Sequence, residues 1–254
     1  MTLIVGSLLY LALLASQTSV LAFVYPITLH LTSQASAIVC SKRSQLRSTP
    51  TNYETLGDVD CTKLLSQSTF PIKPDALISL AKEAIFEKRI GTADNGVCLA
   101  HDFMFRAAFV EVNKEKYLQA LESFDLSASF DIKQKFFGWT VDPTQPNRVW
   151  FMGRSQATHT GNFFGAKPTG NLLVFPPESL HLDFNQDGKI QEFGFYTIDR
   201  AQGNTGGLGG AFGYFYGVGK PLPFPEGKPY KMSLKRRFFE MIGPLLTKLS
   251  KKQK

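Results

Sequence analysis

Cysteine is scarce in this chain of 254 residues: there are three, and only Cys61 and Cys98 lie beyond the first fifty positions. Two cysteines allow one disulfide or two free thiols. A small secreted fold held together by several disulfides is therefore excluded. Because 43% of the residues are hydrophobic and 13% are aromatic, the chain can bury a sizeable core, and we expect one domain with terminal extensions.

A hydrophobic run long enough to span a bilayer is also missing near the start. The apolar run Leu3–Ala15 has about the length of a signal-peptide core and is too short to span a bilayer comfortably. Val20 and Ala22 then fit a small-residue cleavage site before Phe23. Residues 1–22 are therefore predicted to be a signal peptide.

Acidic residues are absent from the first 53 positions, and the first one is Glu54. Residues 23–50 are rich in Ser and Thr and carry only basic charges, which is typical of a transit peptide. A signal core, an aromatic residue at the cleavage point and an acid-free segment together resemble the bipartite plastid presequence of algae with secondary plastids, such as diatoms. The resemblance implies a chloroplast protein. An ordinary secreted protein is the alternative.

Charge is uneven along the rest of the chain. Residues 51–227 carry 16 Lys and Arg against 20 Asp and Glu, whereas residues 228–254 carry nine Lys and Arg against Glu240 alone. The body is therefore mildly acidic and the tail strongly basic. Because the basic residues are confined to one terminal segment, nucleic acid is not expected as a partner.

Apolar spacing predicts helices first and strands afterwards. Residues 74–88 and 113–124 repeat apolar side chains at helical spacing, the second with Asn113 as its N-cap. From residue 148 onward the period becomes two. The predicted strands are Arg148–His159, Asn171–Phe175, Glu178–Phe184 and Lys189–Asp199. This order indicates an α+β fold with an antiparallel sheet.

Short motifs in this region carry a family resemblance. They are "LAHDFMFRAAF", "NKEKYLQALESF", "THTGNFFGAKPTGNLLVF" and "HLDFNQDGKIQEFGFYTID". Their order and spacing resemble those of SnoaL-like domains, which belong to the nuclear transport factor 2-like superfamily. The resemblance covers residues 75–200 and implies a cone-shaped half-barrel, in which a curved sheet wraps over about three helices and encloses an apolar pocket.

The segment "DFNQDGKIQEF" connects the last two predicted strands. Its acids match part of a calcium-binding loop, but Gly194 stands where a bidentate Glu is needed, so calcium is not expected. Asp187 and Gly188 instead predict a two-residue hairpin turn. That turn pairs Leu182 with Phe193, Leu180 with Phe195, and Glu178 with Thr197 on one face, and puts His181, Glu192 and Tyr196 on the other.

Asp199 is the first candidate for proton transfer. It continues the face that carries Thr197, at the edge of an apolar wall where desolvation raises a carboxyl pKa. The family resemblance implies that an aspartate in the pocket assists an aldol ring closure without metal or cofactor, and this role carries over to Asp199. A salt bridge with Arg200, or a cap of the following turn, is the alternative.

His159 is the second candidate, as a proton shuttle or a hydrogen-bond donor inside the cone. Its strand places the small residues Gly153, Ser155 and Ala157 on the same side, which would leave room for a ligand. A structural histidine is the alternative. The predicted ligand-binding residues are Trp150, Phe193, Phe195, Thr197 and His181, and no metal ligand is predicted.

Residues 203–219 contain eight glycines and follow a strand, as a nucleotide-binding loop would. They lack both the spacing GxGxxG and the Gly-Lys-Ser/Thr ending, so nucleotide binding is not expected. Small residues recur four apart at 206/210, 209/213 and 213/217, which permits close helix packing. The segment is interpreted either as a cover over a ligand or as a compact loop packed across the mouth of the barrel.

The tail puts apolar residues from Leu234 to Leu249 on one helical stripe beside many basic residues, with a kink at Gly243 and Pro244. A basic amphipathic helix fits peripheral contact with an anionic membrane through Leu234–Lys254. A helix docked on the body is the alternative.

These features predict a plastid protein that holds a small apolar or polycyclic ligand in the cone. As an enzyme it would isomerise or cyclise the ligand by acid–base catalysis without a cofactor. As a non-catalytic module it would bind a ligand or associate with a thylakoid membrane. The predicted units are 1–22, 23–50, the α+β domain 51–227 and the tail 228–254, and a homodimer is left open.

Overall fold

The computed structural model describes residues 57–107, 110–123, 126–238 and 240–242, so the predicted presequence (1–50) and the end of the tail lie outside the described residues. The helices are α1 (Cys61–Ser66), α2 (Pro74–Phe86), α3 (Lys114–Ser123), α4 (Leu126–Ser129) and α5 (Gly210–Gly217). The strands are β1 (Leu99–Ala107), β2 (Val110–Asn113), β3 (Phe130–Val141), β4 (Arg148–His159), β5 (Leu172–Val174), β6 (Glu178–Phe184) and β7 (Ile190–Thr197).

The two predicted helices are confirmed as α2 and α3. Pro74 opens α2 at a position where a missing N–H costs no hydrogen bond, and the helix buries Leu77, Ala81 and Ala84. Asn113 caps α3, because its side-chain oxygen accepts a hydrogen bond from the backbone N–H of Lys116 at 3.1 Å.

The sheet has the strand order β2-β1-β7-β6-β4-β3, with β5 added beside β4. Every pair is antiparallel except β1 with β7, which is parallel. A parallel pair needs a long crossover connection, which the chain between β1 and β7 supplies. The predicted α+β half-barrel is confirmed, with a mixed sheet instead of a wholly antiparallel one.

The hairpin of β6 and β7 has the predicted pairs, Leu182 with Phe193, Leu180 with Phe195, and Glu178 with Thr197. Its turn differs from the prediction. Three residues, 186–188, separate Asn185 from Lys189, whose backbone groups are hydrogen-bonded at 2.9 Å. Gly188 adopts a φ of +73°, which suits the last position of a three-residue hairpin loop. A register shift at Asp183 and Phe184 compensates for the longer loop.

Buried apolar side chains form two clusters on the inner side of the sheet. The first, here called the cone core, lies between the sheet and helices α2 and α3 and includes Phe103, Phe151 and Leu182. The second, here called the α5 core, lies where α5 packs over the ends of β3, β4 and β5. Its buried members are Phe130, Ala157, Phe163, Leu173, Phe175, Tyr214, Phe215 and Leu222.

Glycine lets α5 approach the sheet closely. A Cβ atom at Gly209, Gly213 or Gly217 would lie 2.9 Å from the Phe195 ring, 2.6 Å from the Phe175 ring and 2.6 Å from Leu173, respectively. The predicted close packing through small residues four apart is therefore confirmed for this row. The segment packs against the sheet, and a role as a ligand cover stays a prediction.

The described part of the tail begins as a helix over residues 234–238, capped by the Ser233 hydroxyl, which accepts from the backbone N–H of Arg236 at 3.2 Å. Three of its apolar side chains are well exposed: Leu234 by 80%, Phe238 by 55% and Met241 by 67%. Among the described helices, none is both long and apolar enough to cross a bilayer.

Candidate functional site

Glu178 is the single charged side chain of the inward row of β6, which continues with Leu180, Leu182 and Phe184. Alternate residues of a strand share a face, so the apolar row places this carboxyl on the inner side of the sheet, opposite Thr197. Glu178 is only 4% exposed. A carboxyl group is therefore buried at the end of an otherwise apolar wall.

Few polar groups surround the Glu178 carboxyl. The Ser155 hydroxyl donates a hydrogen bond to Oε2 at 3.4 Å, and the Arg154 guanidinium and the backbone N–H of Gly210 also favour the charged form. Burial outweighs these groups and raises the pKa of Glu178 to about 7. At neutral pH both the acid and the carboxylate are populated, as an acid–base catalyst requires.

Glu178 lies at the junction of the two cores. On one side, a Cβ atom at Gly153 would lie 3.4 Å from Oε2 and 3.1 Å from Leu180 of the cone core. On the other side is Tyr214 of α5, whose pKa is raised by burial and further by the nearby Glu178 charge. A neutral phenol, a hydroxyl and a carboxyl are thus gathered beneath α5.

Aromatic side chains occupy much of the inner face. Trp139 stacks on Phe151 with ring centroids 4.2 Å apart, and Phe105 lies 5.4 Å from Phe193. Two open cavities of the described chain lie elsewhere, one of about 300 Å³ beside Arg200 and one of about 570 Å³ beside Cys98. The apolar lining that the sequence predicts is present, and in this conformation it is packed against itself.

Asp199 lies two residues beyond the end of β7 and is only partly buried. Its carboxylate accepts hydrogen bonds from the backbone N–H of Ala201 at 3.0 Å and from the side-chain amide of Gln202 at 2.8 Å. Asp199 therefore caps its own turn, as the alternative interpretation expected. Its catalytic role stays a prediction.

His159 is fully buried in the α5 core, on the same side of β4 as Ser155 and Ala157, as predicted. Its Nδ1 lies 3.2 Å from the Thr169 hydroxyl and its ring stacks on Phe130 with centroids 5.0 Å apart. Within the described residues, its Nε2 has no hydrogen-bond partner. These contacts fit a packing role, and a proton-shuttle role stays a prediction.

The five predicted ligand-binding residues are divided between the two faces of the sheet. Phe193, Phe195 and Thr197 lie on the inner face with Glu178, and Phe195 and Thr197 contact the start of α5 at Gly209. Trp150 and His181 lie together on the outer face, with ring centroids 4.7 Å apart. The structure therefore places three of the five on the face that carries Glu178, with Thr197 directly opposite it.

The outer face carries its own buried ionic cluster. The Arg148 guanidinium donates two hydrogen bonds to Asp183, at 2.6 and 2.7 Å, and lies 3.4 Å from Glu192. Arg106 donates to Glu192 at 2.8 Å, and His181 Nε2 lies 3.0 Å from the same carboxylate. Burial, with the nearby Arg148 charge, lowers the pKa of His181, so the ring is neutral at pH 7.

Within the described residues, His181, Asp183 and Glu192 are grouped closely enough to hold a metal ion, with their ligand atoms within 4.8 Å of one another. Arg148 and Arg106, however, already bind the two carboxylates. A metal ion would have to displace these arginines. The contacts therefore favour an ion-pair network over a metal centre.

Glu178 was not among the residues that the sequence singled out. The hairpin prediction placed it on the inner face, but its importance depends on burial by α5, whose first residue is 32 positions further along the chain. The available signal was a charged residue at the start of the row Leu180, Leu182, Phe184, where a polar residue is unexpected.

No family model matches the sequence, and no curated protein is significantly similar to it. Several solved structures resemble about half of the chain. An NTF2-like protein of unknown function from Exiguobacterium sp. 255-15 is 14% identical over 49% of this chain and 97% of its own, with a TM-score of 0.34. A protein provisionally named a SnoaL-like polyketide cyclase, from Jannaschia sp. CCS1, is 16% identical over 50% and 87%, with a TM-score of 0.38. An LEH-like epoxide hydrolase of M. tuberculosis is 13% identical over 48% and 78%, with a TM-score of 0.35.

Proposed function

We propose that this protein binds a small apolar carbonyl compound between the inner face of the sheet and α5, and isomerises or cyclises it by proton transfer through Glu178. The observation that carries the proposal is a carboxyl group, 4% exposed and with its pKa raised to about 7, at the end of an apolar wall. A carboxyl that titrates near neutral pH can both take and return a proton.

In the proposed reaction, the Glu178 carboxylate removes a proton from the carbon next to the ligand carbonyl. The electron pair of the broken C–H bond forms the enolate, and the hydroxyl of Tyr214, which burial keeps protonated, donates a hydrogen bond to the enolate oxygen. The protonated Glu178 then returns the proton to another carbon, or the enolate carbon attacks a second carbonyl and Glu178 protonates the resulting alkoxide.

Binding requires α5 to move, because aromatic side chains fill the inner face when α5 is packed down. Glycine residues with a left-handed backbone bound the segment at both ends. Gly203 and Gly219 have φ angles of +81° and +78°, which other residues rarely adopt, and they flank α5 on either side. Gly213 and Gly217 lie against Phe175 and Leu173, whereas the Tyr214 ring packs on Phe175 with centroids 4.7 Å apart, so movement of α5 has to separate these two rings.

The experiment is hydrogen–deuterium exchange at the α-carbon of 2-tetralone, an apolar bicyclic ketone, followed by NMR in D₂O. We expect the protein to accelerate exchange, and Glu178→Gln to lower the rate by about 100-fold, the usual contribution of a general base. The rate should rise with pH through about 7 as Glu178 ionises. The matched control is Asp199→Asn, which should exchange as fast as the unmodified protein.

Two outcomes would contradict this assignment. Loss of exchange in Asp199→Asn, with Glu178→Gln unaffected, would transfer the role to Asp199. Binding of 2-tetralone without any exchange above the buffer rate would favour a non-catalytic binding module.

A second proposal concerns the tail. We propose that Leu234–Lys254 makes peripheral contact with an anionic membrane, since Leu234, Phe238 and Met241 are exposed in the described part beside Lys235 and Arg236. Sedimentation of the full chain with phosphatidylglycerol vesicles, and not with phosphatidylcholine vesicles, is the expected result.

A homodimer also stays a prediction. Analytical ultracentrifugation, which measures the mass of the assembly, tests it.

The location in the cell is a further proposal. We propose that residues 1–50 direct the chain to a secondary plastid, on the basis of the signal core and the acid-free segment that follows it. A fluorescent protein fused after residue 50 should accumulate in the plastid of a diatom. Release of the fusion into the medium would favour secretion.

A further inference from the structure

A cavity of about 300 Å³ lies beside the base of the tail. Its walls are the turn that follows β7 and the segment that leads into the tail helix, and they include Arg200, Gly206, Gly207, Tyr230 and Met232. Two hydrogen bonds hold these walls together. The backbone N–H of Tyr230 donates to the Gly206 carbonyl at 2.7 Å, and Arg200 Nε donates to the Gly207 carbonyl at 3.0 Å.

Arg200 is held in place with part of its guanidinium unused. The group lies 5.1 Å from the centre of the Tyr230 ring, so one face is covered by an aromatic ring. Only the Nε bond to Gly207 is made within the described part of the chain, which leaves both terminal nitrogens without an acceptor there. A fixed guanidinium with free terminal N–H groups binds phosphate through two parallel hydrogen bonds.

Glycine shapes the opposite wall. A Cβ atom at Gly207 would lie 2.2 Å from the Arg200 carbonyl oxygen, and one at Gly206 would lie 2.8 Å from Pro229. Neither position accepts a side chain, because the space beside each glycine is already filled, and the walls are therefore held close together.

The cavity adjoins the surface that the tail exposes. Tyr230 and Met232 line it and are themselves 53% and 41% exposed, and the exposed Leu234 follows directly. Lys231 and Lys235 are interleaved with these residues and are also exposed. An arginine site at the edge of a basic, apolar surface matches an amphiphile that has an anionic head and an apolar body.

We propose that this Arg200 cavity binds the phosphate monoester headgroup of an anionic lipid while the tail lies on the bilayer. The inference rests on the proposed membrane contact of the tail and adds a headgroup preference to it. A phosphate monoester offers three free oxygens and nearly two negative charges, whereas a diester offers two oxygens and one charge, so the terminal nitrogens of Arg200 should bind the monoester more tightly. Tyr230, Met232 and Leu234 enter the interface beside the headgroup.

The experiment compares vesicle binding by the full chain with two anionic lipids at equal molar fraction in phosphatidylcholine. Phosphatidic acid has a monoester headgroup and phosphatidylglycerol a diester. We expect binding to both, with about tenfold tighter binding to phosphatidic acid, the effect of one extra charge-assisted contact. Arg200→Gln should remove this preference and retain binding to phosphatidylglycerol. Arg200→Lys, which keeps the charge without the planar fork, should retain only part of it.

A tail variant separates this inference from the proposal on which it rests. Changing Lys235, Arg236 and Arg237 to Gln together should weaken binding to both anionic vesicles and keep the ratio between them. Equal binding of the unmodified chain to the two lipids would overturn the Arg200 site and leave the membrane contact intact. Absence of vesicle binding would overturn both.

A separate measurement distinguishes a soluble phosphate compound from a lipid headgroup as the ligand of the Arg200 cavity. Inorganic phosphate lacks an apolar body for Tyr230, Met232 and Leu234 to contact, so it should raise the melting temperature of the unmodified chain only slightly more than that of Arg200→Gln. Stabilisation that depends on Arg200, without vesicle binding, would assign the cavity to a soluble phosphate ester and overturn the lipid assignment. Circular dichroism of each variant checks that the overall fold is preserved.

Discussion

The two faces of β6 bury ionisable side chains in opposite ways. On the inner face, Glu178 has a weak hydrogen bond from Ser155 at 3.4 Å, and its pKa is raised to about 7. On the outer face, Asp183 has two short hydrogen bonds from Arg148. Both acids are less than 10% exposed, so burial alone does not separate them.

What separates the two acids is a desolvated arginine. A carboxylate that receives two charge-assisted hydrogen bonds is fixed in one geometry and serves as a structural anchor. A buried carboxyl with one hydroxyl partner keeps its proton to a higher pH, so both of its forms are present near neutral pH and it is available for chemistry. The acids of the outer cluster are therefore held by their arginine partners, and we infer that the inner site is the reactive one.

The largest expected loss of stability comes from removing the arginine that pairs with Asp183. Arg148→Met leaves Asp183 buried and unpaired, and we expect it to lower the free energy of unfolding by about 3–5 kcal/mol. Arg106→Met is the matched control, since the Arg106 side chain is 47% exposed where that of Arg148 is 16% exposed. It should cost about 1 kcal/mol or less. Equal losses in urea denaturation would show that burial of the arginine is not the deciding factor.

Burial of Glu178 should make the free energy of unfolding depend on pH. The Glu178 pKa is raised from 4.5 to about 7 by folding, so the unfolded chain releases its proton first as the pH rises. The stabilisation by protonated Glu178 is complete below pH 4.5 and is lost as the pH rises through about 7. Relative to Glu178→Gln, the unmodified protein should lose about 3 kcal/mol between these limits.

The titration of His181 does not affect the stability difference between the unmodified protein and Glu178→Gln. Its pKa is lowered by burial, so its contribution has the opposite sign: it is present above pH 6.5 and is lost as the pH falls. Both proteins carry His181, so its effect cancels in the difference. A difference between the two proteins that is flat with pH would mean that Glu178 is not desolvated as described.

Much of this arrangement could be predicted from the sequence. Period-two alternation placed β4 and β6 at their observed bounds, and the turn residues near Gly188 gave the correct partners for Leu182 and Leu180. Even the longer turn preserved the faces, because the register shift at Phe184 compensated for it.

The surroundings of Glu178 and Asp183 could not be predicted from the sequence in the same way. The Glu178 pKa depends on the packing of α5, and the pairing of Asp183 depends on Arg148 in a different strand, so neither follows from local periodicity. Asp199 was expected to continue the inner face, but β7 ends at Thr197 and the chain turns there. Strand ends are set by such turns, which hydrophobic alternation does not report.

A smaller change tests how tightly the outer face is packed. The His181 ring lies against Gly194, where an added Cβ atom would be 1.9 Å from the imidazole. The ring is fully buried between Trp150 and Tyr196, so it has little room to move. Gly194→Ala should cost about 1–3 kcal/mol by overpacking. In a His181→Ala background the same change should be nearly neutral, and an undiminished penalty there would point to the backbone of β7 instead.

The smallest expected effect on the free energy of unfolding comes from removing the hydroxyl group that donates a hydrogen bond to Glu178 within the described residues. The Ser155 hydroxyl stabilises the ionised carboxylate, so Ser155→Ala should cost about 1 kcal/mol above pH 7, where that form dominates, and much less below pH 4.5. Adding Ser155→Ala to Glu178→Gln should remove this pH dependence, since no ionisable partner is left. A cost that is the same at both pH limits would show that Ser155 acts by packing alone, and the inner carboxyl would then be held by α5 without help from β4.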